Sequence, residues 1–289
     1  MYLQSLLSRA AHWKERRALE NASTGDHKTR LLSLGSTLSG LWLQVVPSQP
    51  RHRMAPATFR FAIRAYLGLP LPGCSPPTLR MCPVCHAQVD TIGTHWLSTC
   101  PTSRAAFTRR HTALNHTVRA AFHRAGYSTT LEPQLFDPTP ETGNVGLWAD
   151  LLVFATEGLP DCFVDVAVTC PTAPSYSTRA QSRRGTAAAR KFQEKMHKYE
   201  RAVHRQPGSL GLRPEFVPLV WETFGASHPK SHSWLCHMLR HVPLIRDDLL
   251  KELSWTLWRS TGSLFERASR QLSWSGASIA SLGGSDMEL

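Results

Sequence analysis

The sequence predicts an α+β fold (mixed α/β), with a mixed sheet flanked by helices. Three observations predict it. Helical patterning dominates both ends of the chain, over residues 1–67 and 231–272. Two β-rich runs, at 147–154 and 162–169, flank a tight turn in the middle. A Cys/His cluster at 82–100 separates the first helical region from the sheet.

Taken in order, residues 1–45 read as helices, SLLSRAAHWKERRALENA and then HKTRLLSLGSTLSGLWLQVV, before a Pro-rich joint at Pro47 and Pro50. Ala57 to Leu67 reads as a short helix with Phe59, Ile63 and Tyr66 on one face. PLPGCSPP at 70–77 reads as a linker. His111 to Arg124 is a helix with Leu114, Val118 and Ala121 as its inner stripe and Gly126 as its cap. Arg109, Arg110, Arg119 and Arg124 add charge there, either as a solvated face or as nucleic-acid contacts. Strands follow at 147–154 and 162–169, joined by ATEGLPD. An Ala-rich helix over 186–205 stops before Pro207, and 216–225 reads as another strand. The expected organisation is a helical segment and linker (1–79), a zinc module with a basic helix (80–127), a core with C-terminal helices (128–272) and a disordered tail (273–289).

Composition narrows the class. With 42% hydrophobic residues, the chain of 289 can bury a real core, so wholesale disorder is excluded. No apolar run approaches the ~20 residues that cross a membrane. The basic amphipathic start reads as an ordinary helix rather than a signal or transit peptide. Lys and Arg number 33 against 21 Asp and Glu, a net charge of +12, which favours a polyanionic partner. The seven cysteines, without an export signal, point to a reducing compartment.

The first motif is Cys82-x2-Cys85-x9-His95-x4-Cys100. Two thiolates two residues apart chelate one ion from a single turn, and a His and Cys four apart close a tetrahedron. Three sulfurs and one imidazole make a structural Zn²⁺ site with no open position. His86 competes for the histidine position. Val84, Val89, Ile92, Trp96 and Leu97 are a small apolar inventory, so metal would carry much of the local folding energy.

The second motif is a pair of acids. A hairpin centred between Glu157 and Gly158 puts Asp150 opposite Asp165, with Cβ atoms roughly 5 Å apart. Like charges so placed are destabilising unless a cation lies between them. Mg²⁺, an oxygen-seeking cation, suits that position and phosphate chemistry. The alternative is a shifted register in which one Asp caps a strand. In the next helix Phe192, Met196, Tyr199 and Val203 form a buried stripe. Lys195 lies about 60° off its centre, and Lys191 and Lys198 about 100° and 120° off, at about 100° per residue. Lys195 is therefore best placed to reach the strands and hold a phosphate or an attacking water. Glu132 is a further carboxylate or a loop residue.

Together, CPVCHAQVDTIGTHWLSTC, RHTALNHTVRAAFHRAG, WADLLVF, FVDVAVT, KFQEKMHKY and PLVWETFG resemble a known arrangement. It is the C-terminal end of the polyprotein of site-specific non-LTR retrotransposons, where a CCHC zinc motif precedes a restriction-like PD-(D/E)XK endonuclease. The similarity runs from about residue 30 to about residue 270. It implies that Asp150 and Asp165 bind the catalytic metal. It also implies a lysine migrated from strand to helix in a K-x-x-K-Y pattern, falling on Lys195, Lys198 and Tyr199. Two departures stand out: Ala149 replaces the proline, and Ala167 replaces the lysine of D-x-K. The resemblance implies a nuclear, metal-dependent endonuclease that nicks a target DNA strand and exposes a 3′-hydroxyl to prime reverse transcription. Its partners would be DNA and the element RNA, and its reverse transcriptase domain would be missing from this chain. The alternatives are a zinc-containing nucleic-acid-binding module and an inactive retrotransposon-derived fragment.

Overall fold

The structure is a computed structural model and describes residues 2–72, 74, 80–136, 146–154 and 158–282. The chain opens with helices α1 (Tyr2–Ala22) and α2 (Gly25–Leu34), a 3₁₀ segment (Thr37–Gln44) and α3 (Pro56–Leu67). Strands β1 (Arg80–Met81) and β2 (Gln88–Val89) form a small hairpin, followed by α4 (Thr94–Ser98) and α5 (Arg104–Arg124). Then come β3 (Thr129–Leu131), β4 (Gln134–Phe136), β5 (Leu147–Trp148), β6 (Leu151–Val153) and β7 (Cys162–Thr169). The chain continues through α6 (Ser177–Ala180), α7 (Thr186–Val203), β8 (Glu215–Glu222), α8 (Pro229–Met238) and α9 (Pro243–Leu282). Among the described residues no helix is long and apolar enough to cross a membrane.

The central sheet has the order β3-β6-β7-β8. β3, β6 and β7 are antiparallel, and β8 runs parallel to β7, so the sheet is mixed and the fold is α+β. A parallel neighbour requires a crossover, and α7 provides it. Pro218 lies inside β8, which is an edge strand, so its missing donor costs the ladder nothing. The free edge is covered by α8: Ser231 Oγ donates to the Pro218 carbonyl (2.8 Å) and accepts from Val220 N–H (3.1 Å).

Alternation along β7 divides the layers. Val164 and Val166 pack with Leu114, Val118, Phe122, Leu253 and their neighbours from α5, α8 and α9. Phe163 and Ala167 point the other way, toward α7, into clusters with Tyr199 and Phe192 respectively. Asp165 shares the parity of Phe163 and Ala167, so it faces α7.

A further cluster joins the N-terminal segment, the Cys/His module and α9: Trp42, Phe61, Trp96, Trp258 and Phe265 belong to one core. Trp42 stacks on Trp258 with ring centres 5.6 Å apart, a contact of about 1 kcal/mol beyond its buried area. Gly262 lets α3 approach α9, because a Cβ there would collide with the Thr58 carbonyl.

Several expectations need correction. Of the expected face of α3, Ile63 and Tyr66 pack against the core of Trp42 and Trp258, but the buried residues are Thr58, Phe61, Ala62 and Ala65, and Phe59 is 43% exposed; small residues set the close approach to α9. α5 begins at Arg104, and Arg110 is buried rather than solvated. The strand expected over 147–154 is broken at Ala149 and Asp150 into β5 and β6, because β5 pairs with β4 in a separate two-stranded sheet. The tail expected to be disordered from 273 continues α9 as far as Leu282, and its remainder lies outside the described residues. So do half of the 70–77 linker and residues 155–157 of the turn.

Candidate active site and metal centre

Pairing in the hairpin follows the expected register. Leu151 opposes Val164, Leu152 opposes Phe163 and Val153 opposes Cys162. Continued one step, this register would set Asp150 opposite Asp165, but Asp150 lies just outside β6; the two acids are near enough that the charge of Asp150 raises the Asp165 carboxyl. The backbone of Asp150 is held on two sides. Its N–H donates to the Val164 carbonyl (3.0 Å), and its carbonyl accepts from Glu132 N–H (3.0 Å). Glu132 adopts φ +49°, in the left-handed region, an uncommon conformation for a side chain that is not glycine. The Glu132 backbone thus anchors the acid, while its side chain is exposed.

The Asp150 side chain is engaged at both oxygens. Oδ2 accepts from Val166 N–H at 2.6 Å, and Oδ1 lies 3.0 Å from His111 Nε2. That histidine comes from α5, and the hydrogen bond to Asp150 raises its pKa above the ordinary histidine value, against the opposing effect of burial. Asn115, one turn along, lies 3.2 Å from the same nitrogen. Asp165 is 3% exposed, and its burial pushes its carboxyl upward while Lys195 pulls it back down. The Lys195 ammonium lies 2.9 Å from Oδ1 and 2.8 Å from Oδ2. Tyr199 faces Asp165 as well, and burial, followed by the charge of Asp165, raises its phenol.

The three lysines of α7 separate as the helical geometry anticipates. Lys195 meets the acid; Lys191 pairs with Glu194 (3.1 Å). Lys198 is exposed, its ammonium 4.8 Å from the centre of the Tyr199 ring. Met196, Phe192, Tyr199 and Val203 pack inward. The far end of α7 is also tethered to the sheet: buried Glu222 of β8 accepts from Ala187 and Ala188 N–H, both 3.2 Å, at the first turn of the helix.

A cleft of about 750 Å³ adjoins this site, between α5, the end of β7, α7 and residues 97–99. His111, Lys191, Lys195 and Arg110 lie along it. The sequence reading misses His111 and the burial of Arg110, whose charge it assigns to a solvated face or to nucleic-acid contact. Both had a signal: His111 lies four before Asn115, and Arg110 lies four before Leu114 on the stripe that continues to Val118.

The second site lies in the small module. Ligand atoms of Cys82, Cys85, His95 and Cys100 are all within 4.8 Å of one another and could hold a metal ion, compatible with zinc. Cys82 Sγ lies 3.7 Å from Cys100 Sγ, and Cys85 Sγ 3.1 Å from His95 Nε2. The hairpin supplies the first pair and α4 the histidine. Burial raises the Cys82 thiol, but the amides of Cys85 and Val84 and the neighbouring His95 and Cys85 outweigh it and bring it to about 6. Stabilised thiolate is the form that binds metal. His95 Nδ1 lies 3.1 Å from Thr99 Oγ1, which orients the ring so that Nε2 faces the sulfurs. His86 is exposed on the hairpin turn at φ +55° and is not in the cluster. Trp96 meets Phe265 of α9 edge-on at 6.4 Å, which docks the module on the long helix.

The sequence matches no protein-family model and no curated protein.

Proposed function

We propose that the chain is a metal-dependent DNA endonuclease with a PD-(D/E)XK-like core, and that it hydrolyses one strand of its target. One observation carries the reading: Asp150 and Asp165 are close enough that the charge of one raises the carboxyl of the other, and the α7 ammonium of Lys195 lies 2.8 Å from Asp165. The donor set fits Mg²⁺, which takes hard oxygen ligands. Asp165 Oδ2 is buried without a hydrogen bond, and the ammonium meets it only as an ion pair. That oxygen has coordination capacity left. Asp150 and Asp165 would hold the ion, which when bound would polarise the phosphodiester and supply a water of lowered pKa.

The chain's own residues do the rest. Lys195 sits where it can neutralise charge on a non-bridging phosphate oxygen. His111 fixes the Asp150 carboxylate by its hydrogen bond. Water oxygen joins phosphorus, the bond to the 3′ oxygen breaks, and a 3′-hydroxyl and a 5′-phosphate result. In this reading Cys82, Cys85, His95 and Cys100 hold a structural zinc ion, and the origin is a non-LTR retrotransposon polyprotein acting on DNA in the nucleus.

A second reading has a specific observation in its favour. Both Asp150 oxygens and the Asp165 carboxylate already have partners within the protein. A chain of this kind could bind nucleic acid without turning it over. Incubation of supercoiled plasmid with Mg²⁺, and with EDTA in its place, separates the two. Mg²⁺-dependent nicking that disappears in Asp150→Ala and Asp165→Ala supports the endonuclease. Binding without nicking, in Mg²⁺ and Mn²⁺, supports the binding module.

A further inference from the structure

Arg110 immediately precedes His111 on α5, yet it is only 6% exposed. Its guanidinium lies 5.2 Å from the centre of the Phe107 ring. Among the described residues it makes no ion pair and no side-chain hydrogen bond. Burial lowers its pKa to about 10, with only the Cys170 thiol acting in the opposite direction. The group therefore stays cationic at neutral pH. No Arg110 nitrogen is sealed away without a partner, so the five donors of its fork, which meet no acceptor of the protein, open on the clefts that Arg110 lines.

The surroundings identify where the anion would come from. Arg110 lines the 750 Å³ cleft together with His111, Lys191 and Lys195, and among the described residues no Asp or Glu lines that cleft. It also lines a second concavity of about 570 Å³, beside Arg109, Arg259 and Arg267, again with no acid among the described residues. The hydroxyls of Ser98, Thr99 and Thr108 at the wall of the 750 Å³ cleft are already bonded within their own turns, so the cations of the cleft carry the site. Cations without a carboxylate suit a tetrahedral oxyanion, and the planar fork of arginine matches two of its oxygens at once.

We propose that Arg110 is a phosphate anchor, binding a phosphodiester of the substrate strand that neighbours the one presented to Asp150 and Asp165. The assignment of the anion to DNA rests on the endonuclease reading; the anion site itself does not. It is a binding role: losing it raises KM and leaves kcat nearly unchanged.

The test uses the full chain and two variants, Arg110→Met and Arg110→Lys. Thermal unfolding is followed in phosphate and in chloride at equal ionic strength. Wild type should melt higher in phosphate, and Arg110→Met should show no phosphate effect. In chloride, Arg110→Met should be at least as stable as wild type, because an unpartnered buried cation has been replaced by an apolar chain of similar length. In nicking assays both variants should raise KM about tenfold or more, since lysine keeps the charge but loses the fork. A single methylphosphonate next to the cleaved linkage should slow wild type and leave Arg110→Met unaffected relative to its own unmodified substrate. Melting of Arg110→Met well below wild type in chloride, with no phosphate effect on either protein, would overturn the proposal and make Arg110 a structural cation. Nicking with an unchanged KM in both variants would overturn the DNA assignment. A phosphate effect confined to wild type, in a chain that never nicks DNA, would keep the anion site and remove the endonuclease reading instead.

Discussion

Lys195 Nζ lies within 2.9 Å of both carboxylate oxygens of Asp165, although thirty residues separate the two in sequence. Two periodicities bring them together. The two-residue period of β7 turns Asp165 to the same side as Phe163 and Ala167. The period of α7 places Lys195 at the border of the stripe Phe192, Met196, Tyr199 and Val203, which packs on that side. Glu222 fixes the start of α7 against β8, so the helix has little freedom to rotate the lysine away.

Lys195→Ala should slow plasmid nicking by about 10²-fold or more if the ammonium stabilises developing charge. Lys191→Ala should have little effect, because Lys191 pairs with Glu194 instead of an acid of the site. Lys195→Ala also leaves a buried carboxylate without its cation, which costs about 3 kcal/mol of stability. Adding Asp165→Asn to Lys195→Ala should restore most of that stability and none of the nicking. Equal rate losses at Lys191 and Lys195 would show that the active face of α7 is misplaced.

How much of this was legible in the sequence depends on the distance over which each feature is determined. The register that brings Asp150 near Asp165 follows from a tight turn and strand pairing, both local, and the position of Lys195 follows from helical period. The break at Ala149 and Asp150 does not follow from either. It arises because Ala149 N–H donates to the Pro133 carbonyl and Glu132 N–H to the Asp150 carbonyl, contacts made by a segment some sixteen residues earlier. The inward side of α3 was misread because apolar size pointed to Phe59, whereas close packing on α9 needed Thr58 and Ala62. Arg110 reads from the sequence as a solvated charge or a nucleic-acid contact, because arginine is usually exposed. Its place on the Leu114 stripe was visible, but what the stripe faces there, residues 97–99 and the end of β7, is tertiary.

Glu222 gives a pH dependence. Burial outweighs the opposing hydrogen bonds from Ser33, Ala188 and Ala187 and leaves its carboxyl above the ordinary value of 4.5. A carboxyl raised in the folded state contributes stability that is complete below the unfolded value and is lost as pH rises through the folded one. Glu222→Gln keeps an acceptor for the two amides and has no charge to desolvate. Its melting temperature relative to wild type should therefore improve between pH 4 and pH 7. Glu222→Ala should be less stable at every pH, by about 1–3 kcal/mol, because the amides lose their acceptor. A wild type that gains on Glu222→Gln as pH rises would show that the helix N-terminus stabilises the ionised form more than burial opposes it.

Binding to duplex DNA should be steeply salt-dependent. The net charge is +12, and Arg104, Arg109 and Arg124 are exposed on α5. Log–log plots of affinity against salt should have a slope of about −0.9 for each phosphate neutralised. Asp150→Ala should bind as well as wild type or slightly better, since it removes negative charge near the cleft. A flat salt dependence would separate DNA binding from the surface cations.

The metal centre allows the most direct measurement. Purified protein should contain about one equivalent of zinc by elemental analysis, because three thiols and one imidazole complete a tetrahedron. Cys85→Ser should lose it, and Cys82→Ser/Cys85→Ser should lose it completely. The structural consequence should extend beyond the module. Cys82, Trp96 and Cys100 belong to the same buried cluster as Trp42, Trp258 and Phe265, so a loosened module withdraws support from α9 and the N-terminal segment together. Chelation should therefore lower the melting temperature of the whole chain and change tryptophan fluorescence, and re-addition of zinc should reverse both. His86→Ala should keep the metal, because His86 is exposed and stands outside the cluster. His95→Ala should release it. Zinc retained at full stoichiometry in Cys82→Ser/Cys85→Ser would refute the assignment, and loss of zinc in His86→Ala with retention in His95→Ala would transfer the fourth ligand to the hairpin turn.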